Sequence, residues 1–397
     1  MFTHVPSSFL KVVISVFVNI TRDYFYEKAL LIRIFPPASA ILINNFHRQE
    51  NNLIMYRAAV MTRPHTLEIL SKPDISLQAD EVLIRMAYAG VCGTDIAIYS
   101  GDYQVPLPLV LGHEFSGIVE AVGSQEDAFM LGKPVVGEIN NTCVAYRKKE
   151  LCPACKKGLT NHCLTRTTLG IFNYDGVFAE YLKLPAGSIH LIPSGLSLKK
   201  AVLVEPLAAA FRTFEMAELH PGDTVVVIGT GRLGKFVLAV AAKSGAQTVA
   251  VVRNPANIET AKAWGAQKVF CTSQEDAVKA VLQMTEGLGA DMVLEATGNP
   301  EGFSLAMQMV RPQGTLSLKT TCGLPAEGVD ATRLVVNELR IQGSRCGPFP
   351  KALPFLADTK YPFDSLISEV YPLEKTAAAI EAAMTQSKVL IQGSAAL

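Results

Sequence analysis

Thr224-Val225-Val226-Val227-Ile228-Gly229-Thr230-Gly231-Arg232-Leu233-Gly234 decides how the second half of this chain folds. An apolar, β-branched run reads as a buried strand. The glycines that follow permit a tight turn and a close backbone approach, and Leu233–Lys243 continues in helix formers. A glycine turn between a strand and a helix is the context in which G-x-G-x-x-G signals a dinucleotide site, with the pyrophosphate against the positive end of the helix. Gly229, Gly231, Arg232, Leu233 and Gly234 are therefore candidate cofactor-binding residues.

The rhythm continues outward from that turn. Thr248–Val252 reads as the next strand and Ile258–Trp264 as the next helix. Val269–Cys271, Met292–Ala296, Thr315–Leu318 and Arg340–Gly343 follow as strands, with helical patterns between several of them. Such alternation predicts an α/β domain with a doubly wound parallel sheet covered on both faces. Sites that prefer NAD place an acid about 20 residues beyond the glycines. Here the second strand ends in Val251-Val252-Arg253-Asn254, without one. Arg253, with Asn254 beside it, is suited to a 2′-phosphate through charge-assisted hydrogen bonds, so NADP is expected over NAD. Thr297 and Gly298, at the end of a later strand, are expected to line the same edge.

Upstream the pattern changes to short β-like runs at Tyr56–Met61, Glu81–Ala89, Gly117–Val122, Val135–Ile139 and Phe178–Lys183, predicting a β-rich domain. Three residues within or just after this half suit a catalytic metal: Cys92 in Cys92-Gly93-Thr94-Asp95, His113 in Gly112-His113-Glu114, and Glu205 in Val204-Glu205-Pro206-Leu207-Ala208. A thiolate, an imidazole and a carboxylate around one Zn²⁺ leave a position open for a substrate oxygen. Singly, each has a plainer role: Cys92 as a small buried residue, His113 as a core histidine, Glu205 as a helix cap. A second group, Cys143, Cys152, Cys155 and Cys163, is dense enough for a structural zinc.

The composition, 49% hydrophobic and 18% charged with zero formal net charge, is that of a globular protein and gives no sign of nucleic-acid binding. Clustered cysteines read as reduced thiols with metal sites, placing the protein in a reducing compartment, the cytoplasm. Residues 1–54 break from the pattern. Their apolar runs, Phe9–Ile20 and Ala29–Phe35, are interrupted and too short to span a bilayer, and no membrane attachment is expected. With five basic and three acidic residues they form a poor organelle-targeting sequence, and they read as a dispensable extension before a domain starting at Met55.

The chain from about Met55 onward resembles the zinc-dependent medium-chain alcohol dehydrogenase superfamily. The motifs that carry the likeness are Gly90-Val91-Cys92-Gly93-Thr94-Asp95, Gly112-His113-Glu114, Glu205-Pro206-Leu207-Ala208 and the glycine turn. Glu205-Pro206-Leu207 is similar to the polyol, sugar and threonine dehydrogenase branches. The resemblance implies a GroES-like catalytic domain at 55–206, a Rossmann domain at 207–345 and a C-terminal return to the catalytic domain at 346–397. It implies that Cys92 and His113 bind catalytic zinc, with Glu205 or Glu114 as a further ligand. It also implies that Asp95 orients His113 and that Thr94 relays the proton of an alcohol. The expected partner is a small alcohol or carbonyl substrate, and the expected assembly a homodimer or homotetramer. In the thiol group the family's first cysteine would fall at 149, where this chain has lysine. Cys143, six residues earlier, either completes a four-thiol site across an insertion or leaves a three-thiol remnant. The competing functional reading is a nucleotide-binding sensor or scaffold without turnover, which would be expected to lose its metal ligands first.

Overall fold

The computed structural model describes residues 55–319, 329–357 and 361–394. The expectations for residues 1–54 and the position of Cys322 lie outside these. In the first half, β1 (Tyr56–Arg63) and β2 (Thr66–Lys72) form an antiparallel hairpin. β3 (Glu81–Gly90) is the central strand of a larger sheet, and β4 (Leu109–Val110) pairs with β1. β5 (Glu114–Val122) and β6 (Pro134–Gly137) extend the larger sheet. β7 (Asn140–Asn141) and β8 (Thr167–Thr168) make a small separate pair, while β9 (Tyr181–Pro185) joins β3 and β10 (Ile189–Leu191) joins β6. Their apolar faces meet in one core that includes Met61, Ile84, Met86, Phe115 and Phe178. This is the β-rich domain expected.

The second half contains β11 (Thr224–Ile228), β12 (Gln247–Val252), β13 (Lys268–Cys271), β14 (Ala290–Glu295), β15 (Val310–Leu318) and β16 (Arg340–Gly343). They form a six-stranded parallel sheet in the order β13-β12-β11-β14-β15-β16. Every residue of β11 is buried, as a central strand covered on both faces requires. One face packs the helix Arg232–Lys243 together with Trp264, Phe236 and Phe363, and the other packs Pro300–Met309. Trp264, 2% exposed, stacks on Tyr361 and meets Phe236 edge-on, a purely structural role.

The helix Val204–Met216 runs through the expected boundary at 206 and packs against both Arg232–Lys243 and Phe349–Ala357. The chain then returns to the catalytic sheet through β17 (Ile367–Pro372) and β18 (Lys388–Gln392), with β18 antiparallel to β3. The strand order reverses between β11 and β14, so ligands belong in the crevice at their carboxyl ends. Among the described residues, no helix is long and apolar enough to cross a membrane.

Candidate active site

β3 ends at Gly90, and Cys92 immediately precedes the helix Gly93–Ser100. The register of β3 against β5 sets Gly90 opposite Glu114, which brings His113 beside Cys92. A Cβ at Gly90 would lie 2.4 Å from Glu114 Oε2 and 2.9 Å from Val202 Cγ1, so any larger residue would displace the Glu114 carboxylate. Ligand-capable atoms of Cys92, His113 and Glu114 all lie within 4.8 Å of one another. Asp95, fully buried, ties the two segments together. Its Oδ2 accepts from the Cys92 backbone N–H at 2.8 Å and its Oδ1 from that of Gly112 at 3.1 Å. Asp95 Oδ1 also stands 3.4 Å from His113 Nδ1, the position of a group that orients the ring.

The charges gathered here suit a cation. Burial alone would lower the His113 pKa, but the Asp95 carboxylate and the Cys92 thiol hold it well above its ordinary value. A field that draws a proton so strongly onto a buried imidazole is also one that draws a divalent metal, so the donor set fits zinc. Both Glu114 oxygens accept from Lys388 Nζ, at 2.7 and 2.9 Å, in an ion pair almost wholly buried. Glu205 sits in the first turn of Val204–Met216, half-buried rather than at the cap position. Burial pushes its carboxyl up to about 7; Glu114 adds to the rise, while His113, Lys388 and Lys319 oppose it. Glu205 is thus in the field of the cluster without being inside it. Thr94 Oγ1 is 4.0 Å from Cys92 Sγ, in the first turn of the neighbouring helix.

Four further thiols form a second cluster. Cys143, Cys152, Cys155 and Cys163 each place a sulfur within 4.8 Å of the rest. Cys143 therefore does reach the cluster, its Sγ 3.4 Å from that of Cys163. The residues inserted after it are anchored by Arg147, whose guanidinium donates to both oxygens of the buried Asp127 at 2.8 and 3.1 Å. Cys163 is held down to about 6 against its burial by donors that include the Cys143 backbone N–H, while burial pushes Cys155 up to about 12. Four crowded sulfurs cannot all ionise without a cation between them, which fits a structural zinc.

The cofactor edge is a cavity of about 560 Å³. Gly229, Gly231, Arg253 and Thr297 line it, together with Thr230, Asn257, Thr272 and the start of the helix Pro300–Met309. Arg232, Leu233, Gly234, Asn254 and Gly298 do not. Gly234 instead backs onto the turn, where a Cβ would lie 2.0 Å from the Gly229 carbonyl oxygen. Asn254 accepts from the Ala256 N–H, and Arg232 donates to the carbonyls of Val91 and Ala383 at 3.5 and 3.4 Å.

Residues 78–194 match the alcohol dehydrogenase GroES-like domain and residues 233–358 the zinc-binding dehydrogenase domain. The sorbitol dehydrogenase of Bacillus subtilis is 35% identical over 83% of this chain and 93% of its own length. The chain belongs to the zinc-dependent medium-chain dehydrogenase superfamily. It is a zinc-type, NAD(P)-dependent alcohol dehydrogenase. Among solved structures, a protein described as a zinc-binding dehydrogenase from Sinorhizobium meliloti 1021, bound to NADP, superposes with a TM-score of 0.77 at 27% identity. It covers 85% of this chain and 99% of its own. An alcohol dehydrogenase from Escherichia coli CFT073, complexed with NADH, also gives 0.77, at 26% identity and the same coverage. Relatives of this dehydrogenase thus span both cofactors.

Sequence reasoning missed three charged residues of the dehydrogenase. Lys388 neutralises Glu114 from 274 positions away, a distance at which no local pattern speaks. Glu295 accepts from the backbone N–H groups of Thr297 and Gly298 and from the Thr297 hydroxyl, shaping the loop after β14. A buried glutamate at a strand end next to Thr-Gly was the available signal. Lys319, 8% exposed just beyond β15, donates to the Ser344 hydroxyl at 3.0 Å and its carbonyl at 3.2 Å. Burial lowers its ammonium to about 8 while Glu205 resists that fall.

Proposed function

We propose that the protein is an NADP-preferring oxidoreductase that interconverts a secondary alcohol, polyol or sugar with its carbonyl at one catalytic zinc. The observation that carries this reading is the convergence of Cys92, His113 and Glu114, with Glu205 in the electrostatic field of the same group. Zinc bound there would supply a Lewis acid that lowers the pKa of a substrate hydroxyl, and a nicotinamide in the cofactor cavity would supply the hydride acceptor. Cys92, His113 and one carboxylate hold the metal. Because Lys388 already neutralises Glu114, Glu205 is assigned as that carboxylate, with Glu114 as its alternate. Asp95 fixes the His113 ring, and the Thr94 hydroxyl relays the substrate's hydroxyl proton, taking it up on Oγ1 as it passes its own proton on toward solvent. Cys143, Cys152, Cys155 and Cys163 hold a second, structural zinc.

Arg253 carries the cofactor preference: it lies exposed at the end of β12, lining the cavity, where it can meet a 2′-phosphate. The similarity to a sorbitol dehydrogenase supports a polyol substrate. A homodimer or a tetramer built from it is supported by the apolar edge of the cofactor domain, where Ile341 on β16 is exposed near Val335 and Val336. The thiol sites suit the cytoplasm. A sensor without turnover has no specific observation in its favour, whereas the gathering of Cys92, His113 and Glu114 favours the enzyme. The test is NADP⁺ reduction on a panel of polyols and sugars, with zinc per chain measured alongside. No turnover on any of them with zinc fully bound would overturn the reading.

A further inference from the structure

Lys319 is a buried cation that the reaction as proposed does not use. Its backbone N–H donates to the carbonyl of Glu295 at 3.1 Å, which fixes it at the carboxyl end of β15, beside the end of β14. Its ammonium spans to Ser344, just beyond β16, and Ser344 Oγ lies 3.3 Å from Thr213 Oγ1 on the helix that carries Glu205. Those contacts use two of three ammonium donors, and the third meets no acceptor among the described residues. A dinucleotide lies along the carboxyl edge of a sheet of this kind. Arg253 at the end of β12 marks one end of that edge, and Gly229 and Thr297 mark its middle. Lys319 stands toward the other end, within the fields of Glu205, Cys346 and Arg212, on the side from which Glu205 reaches the metal ligands.

That placement has an electrostatic consequence. The oxidised nicotinamide ring is a cation and the reduced ring is neutral, while the rest of the cofactor keeps its charge. A fixed positive charge beside the ring therefore disfavours one redox form and leaves the other almost untouched. In a buried site the effect is weakly screened.

We infer that Lys319 is a positioning residue that biases the site toward the reduced cofactor, so that this chain binds NADPH more tightly than NADP⁺ by virtue of one buried ammonium. The inference rests on the proposed nicotinamide chemistry but not on the identity of the alcohol. It concerns the free energy of two bound cofactor states and so is read by binding rather than by turnover. The conservative replacement Lys319→Arg retains the charge, whereas Lys319→Met and Lys319→Gln remove it.

The test is titration of the zinc-loaded protein with NADPH, by its fluorescence, and with NADP⁺, by calorimetry. Each is done for the parent and the three variants, with thermal unfolding as a check on the fold. Lys319→Met is expected to lower the ratio of the NADP⁺ to the NADPH dissociation constant by roughly tenfold or more. Lys319→Arg is expected to keep it, and Lys319→Gln gives the same reading if the methionine variant does not fold. An unchanged ratio in both neutral variants, with both cofactor forms still bound, would overturn the inference and leave the proposed function standing. Failure of the parent to bind NADP(H) or NAD(H) in either form would overturn the function itself, and the inference with it.

Discussion

The thiol lobe and the Cys92 pocket solve the problem of holding a metal in opposite ways. Cys143 to Cys163 are at most 20 positions apart, carry one kind of donor, and are covered by a single short segment of chain. Cys92, His113, Glu114 and Glu205 come from a strand end, a facing strand and a distant helix, and mix sulfur, nitrogen and oxygen. The first arrangement is one kind of donor gathered at one place, while the second sits among outside charges, with Asp95, Lys388 and Lys319 acting on it. A local, homogeneous site stabilises structure. A dispersed, mixed one can exchange a ligand and do chemistry.

This contrast can be broken at either end. The largest effect is expected from Cys92→Ser, which removes the anionic donor of the open site. Turnover should fall by about a thousandfold or more. Zinc per chain should drop from about two to about one, while the thermal midpoint stays near that of the parent. Cys143→Ser should do the reverse, removing the other ion and lowering the unfolding midpoint while the catalytic ion is kept. Unchanged zinc in Cys143→Ser would show that three thiols suffice or that the lobe is empty.

Lys388→Met tests whether the open site depends on its counter-charge. Leaving Glu114 buried and unpaired should cost about 3–5 kcal/mol in denaturant unfolding. A loss below about 1 kcal/mol would place the pair among those of little net worth. The smallest change concerns the cofactor edge rather than either metal. Arg253→Asp should move the NADPH-to-NADH affinity ratio toward NADH by at least about tenfold, with zinc content unaltered. An unmoved ratio would remove Arg253 from the cofactor assignment.

The sequence was most legible where chemistry and geometry are local. β11 and β16 coincide with their expected bounds; for β11 the reason is a β-branched run, Thr224–Ile228, directly before a glycine turn. The thiol group and the Cys92 and His113 motifs were visible for the same reason. β2 was not, because its exposure pattern has no buried face for alternation to reveal. The helix Gly93–Ser100 was hidden by its Gly-Thr-Asp start, which reads as a turn until Asp95 accepts from the Cys92 N–H. Lys388 and Lys319 look like ordinary surface lysines in sequence, and only long-range pairing buries them. That Cys143 reaches the other thiols could not be read from spacing, and neither could the contact of Arg147 with Asp127 in the inserted segment.

The place of β18 between β3 and β17 also governs how the molecule comes into being. β3 and β5 emerge early in synthesis, carrying the Cys92 and His113 motifs, yet the strand that flanks β3 and the ammonium that balances Glu114 come close to the end of the chain. During translation the parallel sheet from β11 to β16 can assemble with its own core, while the older half waits with an exposed strand edge and an unbalanced carboxylate. Arrival of Lys388 then closes the sheet and the electrostatics in one step. The Cys92 and His113 motifs are thus made well before the strand and the ammonium that complete their surroundings, and a chain truncated before β18 would lack the Lys388–Glu114 pair.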